Sequence, residues 1–247
     1  MNVSLYQAAS ALHAHSQWQD VIAENLAAGS VPGYKKKEIS FSAMSSGVMP
    51  ANGAGNQTLV QPRANTAINF QPGPLRYTGQ PSDLAIEGRG FFEVQLPNGA
   101  LGYTRDGEFH LTAQGQLVTK AGYAVLSDTG PVQMDPNNHS PITVSSTGEI
   151  HQGAESKGSV KVVDFNDPKL LTPISGEYFL AQNPNLQTQE IRAPQVHQGY
   201  LEGANTSPLG EMTQLITAMR LFEANQRTIQ AQDDRMRRAL SELGNLS

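Results

Sequence analysis

A heptad pattern near the carboxy terminus limits the possible folds of this chain more than any other feature. Two interleaved sets of residues repeat every seven positions there: Leu215, Phe222, Ile229, Met236 and Leu243, and Met212, Met219, Gln226, Asp233 and Leu240. Such a repeat predicts a helix that packs along another helix. Neither Gly nor Pro occurs between Glu211 and Leu243, and Ser207-Pro208 suits a helix start, so we predict a helix roughly 50 Å long.

The amino-terminal segment predicts a second helix. Its apolar residues recur at three- and four-residue steps on one helical face: Leu5, Ala8, Ala9, Leu12, Ile22, Ala23 and Leu26. Gly29 and Pro32-Gly33 end the pattern. A helix with such a thin stripe is marginal alone, so we predict that the two terminal helices pair as a coiled coil. The pattern leaves open whether this pairing lies within one chain or joins several.

The middle of the chain predicts strands and turns. Between residues 75 and 200, short apolar runs alternate with turn signals such as Pro97-Asn98-Gly99 and Asp106-Gly107. Strands this short and closely spaced favour an antiparallel all-β domain. Residues 42–65 are rich in Ser, Gly, Asn, Pro and Gln and predict a linker.

The predicted fold class is therefore α+β, with an antiparallel all-β middle domain between long terminal helices. The expected boundaries are 1–41 for the amino-terminal helix and turn, 42–74 for a flexible arm, 75–204 for the β-rich domain and 205–247 for the carboxy-terminal helix.

Composition argues against several classes of function. A net charge of −5 disfavours a nucleic-acid binder, and the lack of cysteine excludes disulfides and thiolate catalysis. Residues 1–28 show no secretory signal, and no stretch is long enough to span a membrane. Gly88-Arg89-Gly90 lies between strand-like runs, where it indicates a turn and not a phosphate cradle.

The histidines are scattered without metal-ligand spacing, and no nucleophile elbow is visible. We therefore expect no catalytic, cofactor or metal site and no enzymatic activity. The alternative from a different class, an all-β ligand-binding module or enzyme, would require a concave pocket with converging polar groups.

Several short motifs follow one another along nearly the whole chain: Leu5-Tyr6, Val21-Ile22-Ala23-Glu24-Asn25-Leu26-Ala27, Pro32-Gly33-Tyr34-Lys35, Asp83-Leu84-Ala85-Ile86-Glu87-Gly88-Arg89-Gly90-Phe91-Phe92, Tyr103-Thr104-Arg105-Asp106-Gly107-Glu108-Phe109, Gly115-Gln116-Leu117-Val118-Thr119 and Gly199-Tyr200-Leu201-Glu202-Gly203-Ala204-Asn205. In type and in order these motifs resemble the rod, hook and hook-associated proteins of the bacterial flagellum. Each motif alone would be weak, whereas their combination is specific.

The resemblance implies a structural subunit of the basal-body rod that polymerises through its terminal helices and forms part of the drive shaft between motor and hook. It implies other copies of the chain, neighbouring rod proteins and the flagellar export apparatus as partners. It also implies a place in the periplasm-spanning rod, reached without cleavage of a signal peptide. A short segment before the core motif, Phe222-Glu223 and Asp233-Asp234 favour the proximal-rod type over a distal-rod or hook-like subunit.

The expected assembly interface consists of residues on the two helical stripes. They are Leu5, Leu12, Ile22, Asn25, Leu26, Leu215, Met219, Phe222, Ile229, Met236, Leu240 and Leu243.

Overall fold

A computed structural model describes residues 3–49, 57–191 and 194–244. The chain divides into two compact units. The first, here called the helical unit, contains residues 3–27, 37–49, 57–67 and 207–244 among those described. The second, the β unit, contains residues 28–36, 68–191 and 194–206.

The helical unit consists of two helices and a pair of strands. Its elements are α1 (Val3–Ala27), β1 (Lys37–Met49), β2 (Gln57–Ile68, whose last residue belongs to the β unit) and α2 (Pro208–Gly244). Ser207 caps α2 as expected, because its hydroxyl accepts a bond from the Gly210 amide at 3.4 Å and its carbonyl accepts one from the Glu211 amide at 2.9 Å. Both terminal helices are thus present.

The prediction that these helices pair as a coiled coil is wrong, although the predicted α+β class is consistent with the structure. The helices contact each other, and an Asn25–Glu211 contact joins the end of α1 to the start of α2. A coiled coil would bury both apolar sets of α2 in one seam. Instead, among the described side chains of α2, the buried ones are Glu211 and Ala218, while Met212 and Met219 from the second set are about half exposed.

The segment predicted as an arm contains paired strands. Strands β1 and β2 form a two-stranded sheet, in which Asn65 Nδ2 donates to Ser42 Oγ at 2.9 Å. The prediction for residues 42–74 therefore missed two strands, and residues 50–56 within it lie outside the described part. The positions of the domain boundaries remain a prediction.

The β unit is antiparallel, as predicted for the middle of the chain. Its strands are β3 (Leu75–Tyr77), β4 (Leu84–Glu87), β5 (Phe91–Gln95), β6 (Leu101–Thr104), β7 (Phe109–Leu111), β8 (Leu117–Thr119), β9 (Ala124–Ser127), β10 (Gly130–Pro131), β11 (Ile142–Val144), β12 (Glu149–Gln152), β13 (Glu155–Ser159), β14 (Val162–Phe165), β15 (Thr172–Ser175), β16 (Tyr178–Leu180), β17 (Thr188–Glu190), β18 (Gln195–Gln198) and β19 (Tyr200–Glu202).

One ten-stranded sheet dominates this unit. Its main path runs β15-β16-β6-β5-β9-β8-β7, with β10 on β9, β14 on β5 and β17 on β14. Smaller sheets pair β11-β12-β13, β4 with β18 and β3 with β19. The last two pairings bring residues 195–202 back onto strands from early in the chain, so the end of the β unit closes onto its beginning.

The core of the β unit lies beneath the motif residues of β4 and β5. Phe92 is fully buried, and its ring meets that of Phe109 edge to face with centroids 5.2 Å apart. Gly107 lets the chain pass very close here, since a Cβ atom at this position would lie 1.7 Å from the Leu84 carbonyl oxygen. Residues of the motifs that resemble the rod and hook proteins therefore form part of the core of this unit.

Candidate assembly surface

Helix α2 has a covered stripe and an exposed one. The covered stripe alternates steps of four and three residues: Glu211, Leu215, Ala218, Phe222, Asn225, Ile229 and Gln232, all buried or half-buried. The exposed stripe, here called the outer stripe, consists of Leu209, Met212, Ile216 and Met219, which are 77%, 52%, 52% and 51% exposed. One face of α2 is thus occupied, while a neighbouring apolar face meets solvent.

The outer stripe is confined to the first turns of the helix. Beyond Met219, the same side of α2 carries the exposed charged residues Arg220, Glu223 and Arg227. Arg227 Nη2 lies 4.0 Å from Glu223 Oε2, an i,i+4 pair on the surface. The apolar part of this side therefore covers about three turns, after which the helix presents a solvated charged face.

The residues predicted for the assembly interface divide between these two surfaces. On α1, Ile22 and Asn25 are buried and Leu12 and Leu26 are half-buried. On α2, Met219 belongs to the outer stripe and Met236 is 43% exposed, whereas the other described members lie on the covered stripe: Leu215, Phe222 and Ile229. The side chains of Leu5, Leu240 and Leu243 lie outside the described part.

Asn25 links three elements of the helical unit. Its Nδ2 donates to the Lys37 carbonyl at 2.8 Å, and its Oδ1 accepts from the Lys37 amide at 2.8 Å, which fixes the start of β1. The same Nδ2 lies 3.5 Å from Glu211 Oε2. Glu211 is buried in the first turn of α2, where the helix dipole favours a negative charge. Asn25 therefore organises contacts within this chain.

The β unit contains a buried ion cluster centred on Glu202. Glu202 Oε1 accepts from Lys35 Nζ at 2.5 Å and from the Gly73 amide at 2.8 Å, while Oε2 accepts from Arg105 Nη1 at 2.9 Å. Arg105 also donates to the Gly88 carbonyl at 2.6 Å. The cluster joins chain segments that are far apart in sequence, including four of the family-like motifs: those that contain Lys35, Gly88, Arg105 and Glu202.

Burial controls the electrostatics of this cluster. It lowers the pKa of Lys35 and of Arg105, and the Glu202 carboxylate opposes both shifts. With two cations and one carboxylate, all almost fully covered, the cluster depends on Glu202 for its charge balance. It is suited to holding these chain segments together.

A second buried carboxyl group lies beside this cluster in sequence. Burial raises the pKa of Asp106 to about 7, and the nearby Glu177 carboxylate adds to the increase. Asp106 Oδ1 accepts from the Glu108 amide at 2.9 Å, which shapes the turn between β6 and β7. Its surroundings give it a structural role in that turn.

Sequence reasoning placed Met212 and Met219 in the heptad repeat but did not identify the outer stripe that they form with Leu209 and Ile216, and it missed the ion cluster. The sequence did contain a signal for the ion cluster, since Lys35, Arg105 and Glu202 each lie in one of the motifs that resemble the rod and hook proteins. Charged residues are expected at the surface, so nothing in their type indicated that they meet.

Neither helix of the described residues is long and apolar enough to cross a membrane. Among the same residues, no group of three or more His, Cys, Asp or Glu side chains is placed to hold a metal ion.

Two family models match this chain. The D1 domain of the flagellar hook protein FlgE/F/G matches residues 85–152, which include much of the ten-stranded sheet. The carboxy-terminal model of the flagellar basal-body rod FlgEFG proteins matches residues 197–242, which run from β18 through most of α2.

Several proteins that are similar to this chain over nearly their whole length are also flagellar basal-body rod proteins. The chain is 33% identical over 231 residues to the flagellar basal-body rod protein FlgF of Caulobacter vibrioides, covering 92% of each chain. It is 29% identical over 251 residues to FlgG of Agrobacterium fabrum (92% of this chain, 94% of the relative) and 28% identical over 254 residues to FlgF of Escherichia coli (97% of each). This chain therefore belongs to the flagellar basal-body rod protein family.

Proposed function

We propose that this structural subunit of the flagellar rod assembles through the outer stripe of α2. The observation that carries the proposal is the row of four large apolar side chains at Leu209, Met212, Ile216 and Met219, each more than half exposed. Contiguous exposed apolar surface rimmed by polar residues marks a site of protein association. The stripe also belongs to the region that the rod-protein model matches.

The outer stripe makes a substantial contribution to the free energy of each subunit contact. Burying a large aliphatic side chain completely is worth about 1.5–3 kcal/mol, so covering the exposed half of each residue contributes about 1 kcal/mol. Four such residues contribute roughly 4 kcal/mol at each subunit contact. A polymer repeats that contribution at every subunit, whereas a monomer leaves the stripe in water.

Six of the predicted interface residues have a supporting role in this proposal. Leu12, Ile22, Leu26, Leu215, Phe222 and Ile229 are buried or half-buried in the chain itself. They stabilise the helical unit in the conformation that exposes the outer stripe, whereas Met219 contacts the neighbouring subunit directly.

A charge placed on the outer stripe tests the proposal. Ile216→Asp should abolish swimming and remove the protein from isolated basal bodies, because a carboxylate would be buried in an apolar contact. Gln230→Asp is the matched control, since it adds the same charge at an exposed position of the same helix. Equal motility of the two variants, at equal protein levels, would rule out the outer stripe as the assembly surface.

The chain's position within the rod is the second part of the proposal. The short segment before the core motif, together with Phe222-Glu223 and Asp233-Asp234, supports the proximal-rod type. Basal bodies imaged from a deletion strain should then lack the rod beyond its base. A deletion strain that builds a normal proximal rod and lacks only distal segments would contradict this assignment.

The family places the chain in the flagellar basal body, where rod proteins associate with copies of themselves and with neighbouring rod proteins. We propose the flagellar export apparatus as a further partner and no enzymatic role. A strain with an inactive export apparatus should keep the protein in the cytoplasm. Normal delivery to the periplasm in that strain would exclude this route.

A further inference from the structure

We infer that the outer stripe of one copy packs against an aromatic cluster on α1 and β1 of a second copy, so that copies join head to tail. The inference rests on the proposed assembly function and specifies the partner surface. The aromatic cluster consists of His15 and Trp18 on α1 and Phe41 on β1.

The aromatic cluster consists of three rings that lie against one another and are partly open to solvent. The rings of Trp18 and Phe41 meet edge to face at 82° with centroids 6.1 Å apart, and His15 lies 6.2 Å from each of them. Phe41 is 47% exposed, so one side of the cluster is open to solvent. Aromatic anchors of this kind contribute a large share of the binding energy at protein interfaces.

Symmetry argues that the outer stripe needs a different surface as its partner. A stripe that paired with itself would form a closed two-fold dimer, whereas an open-ended assembly requires two different, complementary patches on each subunit. Among the described residues of the helical unit, the large exposed apolar side chains lie on α2, with one exception, Phe41. Among the described side chains of this unit, the aromatic cluster is therefore the exposed apolar surface besides α2.

The chemistry of the two surfaces is also complementary. Half of the outer stripe is methionine, and the thioether sulfur makes favourable contacts with aromatic rings. Methionine side chains are flexible enough to fit around the edges of Trp18 and Phe41 without a preformed pocket. We therefore assign Met212 and Met219 as the residues that contact the aromatic cluster of the next copy.

Cysteine crosslinking tests this contact directly, because the chain contains no cysteine of its own. Two full-length copies with different epitope tags are expressed together in a strain that lacks the chromosomal gene, one carrying Phe41→Cys and the other Met212→Cys or Met219→Cys. Basal bodies are isolated, oxidised and analysed for dimers that carry both tags. Arg227→Cys replaces the methionine variant in the control, since Arg227 is highly exposed and lies about two turns beyond the stripe.

Mixed-tag dimers are expected with at least one methionine variant and are expected to be absent with Arg227→Cys. Dimers formed by Met219→Cys alone would show stripe-to-stripe contact and overturn the inference. Crosslinks only to another rod protein, or no dimers in basal bodies of motile cells, would overturn it as well. If Ile216→Asp nevertheless abolishes motility, the assembly function stands and the assigned partner surface fails.

A second measurement covers the case in which the cysteine variants do not assemble. Phe41→Leu preserves an apolar side chain and should keep most motility, whereas Phe41→Ser should lose it with an unchanged melting temperature. Equal motility of these two variants would also overturn the inference.

Discussion

Replacing Glu202 by Gln should destabilise the β unit strongly, although the change removes no atom of the chain's backbone and almost no volume. The Gln side-chain oxygen can still accept from the Gly73 amide, the contact that Glu202 Oε1 makes at 2.8 Å. What is lost is the negative charge between Lys35 and Arg105. Both cations are covered by the fold, so water cannot replace the carboxylate.

The expected cost follows from that burial. Removing one partner of a buried ion pair typically costs about 3–5 kcal/mol, because the remaining charge is left uncompensated in a poorly solvated place. Burial already lowers the pKa of Lys35, so this ammonium group can respond by losing its proton. The Arg105 guanidinium does not deprotonate in proteins, and it therefore retains most of the penalty.

The effect is measured by urea unfolding of the full-length protein, with circular dichroism in the tyrosine region as the signal. Six of the seven tyrosines lie in the β unit, so this signal reports on that unit. Glu87→Gln is the control, since Glu87 pairs with His197 at 2.6 Å on the surface, where such pairs contribute about 0–1 kcal/mol. Glu202→Gln should lower the free energy of unfolding several times more than Glu87→Gln. Similar losses for both variants would refute the argument that burial makes Glu202 important.

Three further predictions concern single positions. Gly90→Val should cost about 1–3 kcal/mol of unfolding free energy, because Gly90 has φ +121° and a Cβ there would lie 2.8 Å from Val162 and 3.0 Å from Ile191; an unchanged melting temperature would contradict this. Phe222→Ala should abolish swimming without changing the melt of the β unit, since Phe222 lies half-buried in the helical unit; normal motility would contradict it. The raised pKa of Asp106, about 7, means that the folded state holds its proton more tightly than the unfolded state, so stability falls as pH rises from about 4 to 7. The stability of Asp106→Asn relative to the parent protein should therefore be greater at pH 8 than at pH 5. An equal difference in unfolding free energy at both pH values would refute the raised pKa of Asp106.

The heptad register shows why sequence could predict the helix but not its covered face. Leu215, Phe222 and Ile229 form one set of the repeat in both the prediction and the structure. Their companion set can lie three residues before them or three after, and apolarity favoured Met212 and Met219. The structure covers Ala218 and Asn225 instead. Hydrophobicity alone therefore favoured the wrong companion set, because the covered face of a helix depends on the side from which the partner helix approaches.

The missed strands have a related cause. Strands β1 and β2 contain many Ser, Thr, Gln and Asn residues, and beyond the short run Ile39-Ser40-Phe41-Ser42-Ala43 they lack an apolar alternation. Their pairing satisfies backbone donors and acceptors, a contribution that leaves no periodic signal in the side chains. The strands of the β unit, by contrast, contribute apolar residues to a buried core, and their alternation with turn signals made the fold class predictable.

The contacts that close this molecule also affect how it folds over time. Lys35 and Glu202 are 167 residues apart, Asn25 and Glu211 are 186 apart, and Tyr77 pairs with Tyr200 across the β3–β19 sheet. Contacts between such distant residues carry a large loop-closure entropy and slow folding. A chain made from its amino terminus onward cannot complete either unit until nearly all of it has been synthesised. Each newly made subunit therefore stays unfolded until its last segments have been made, as the export route proposed above requires.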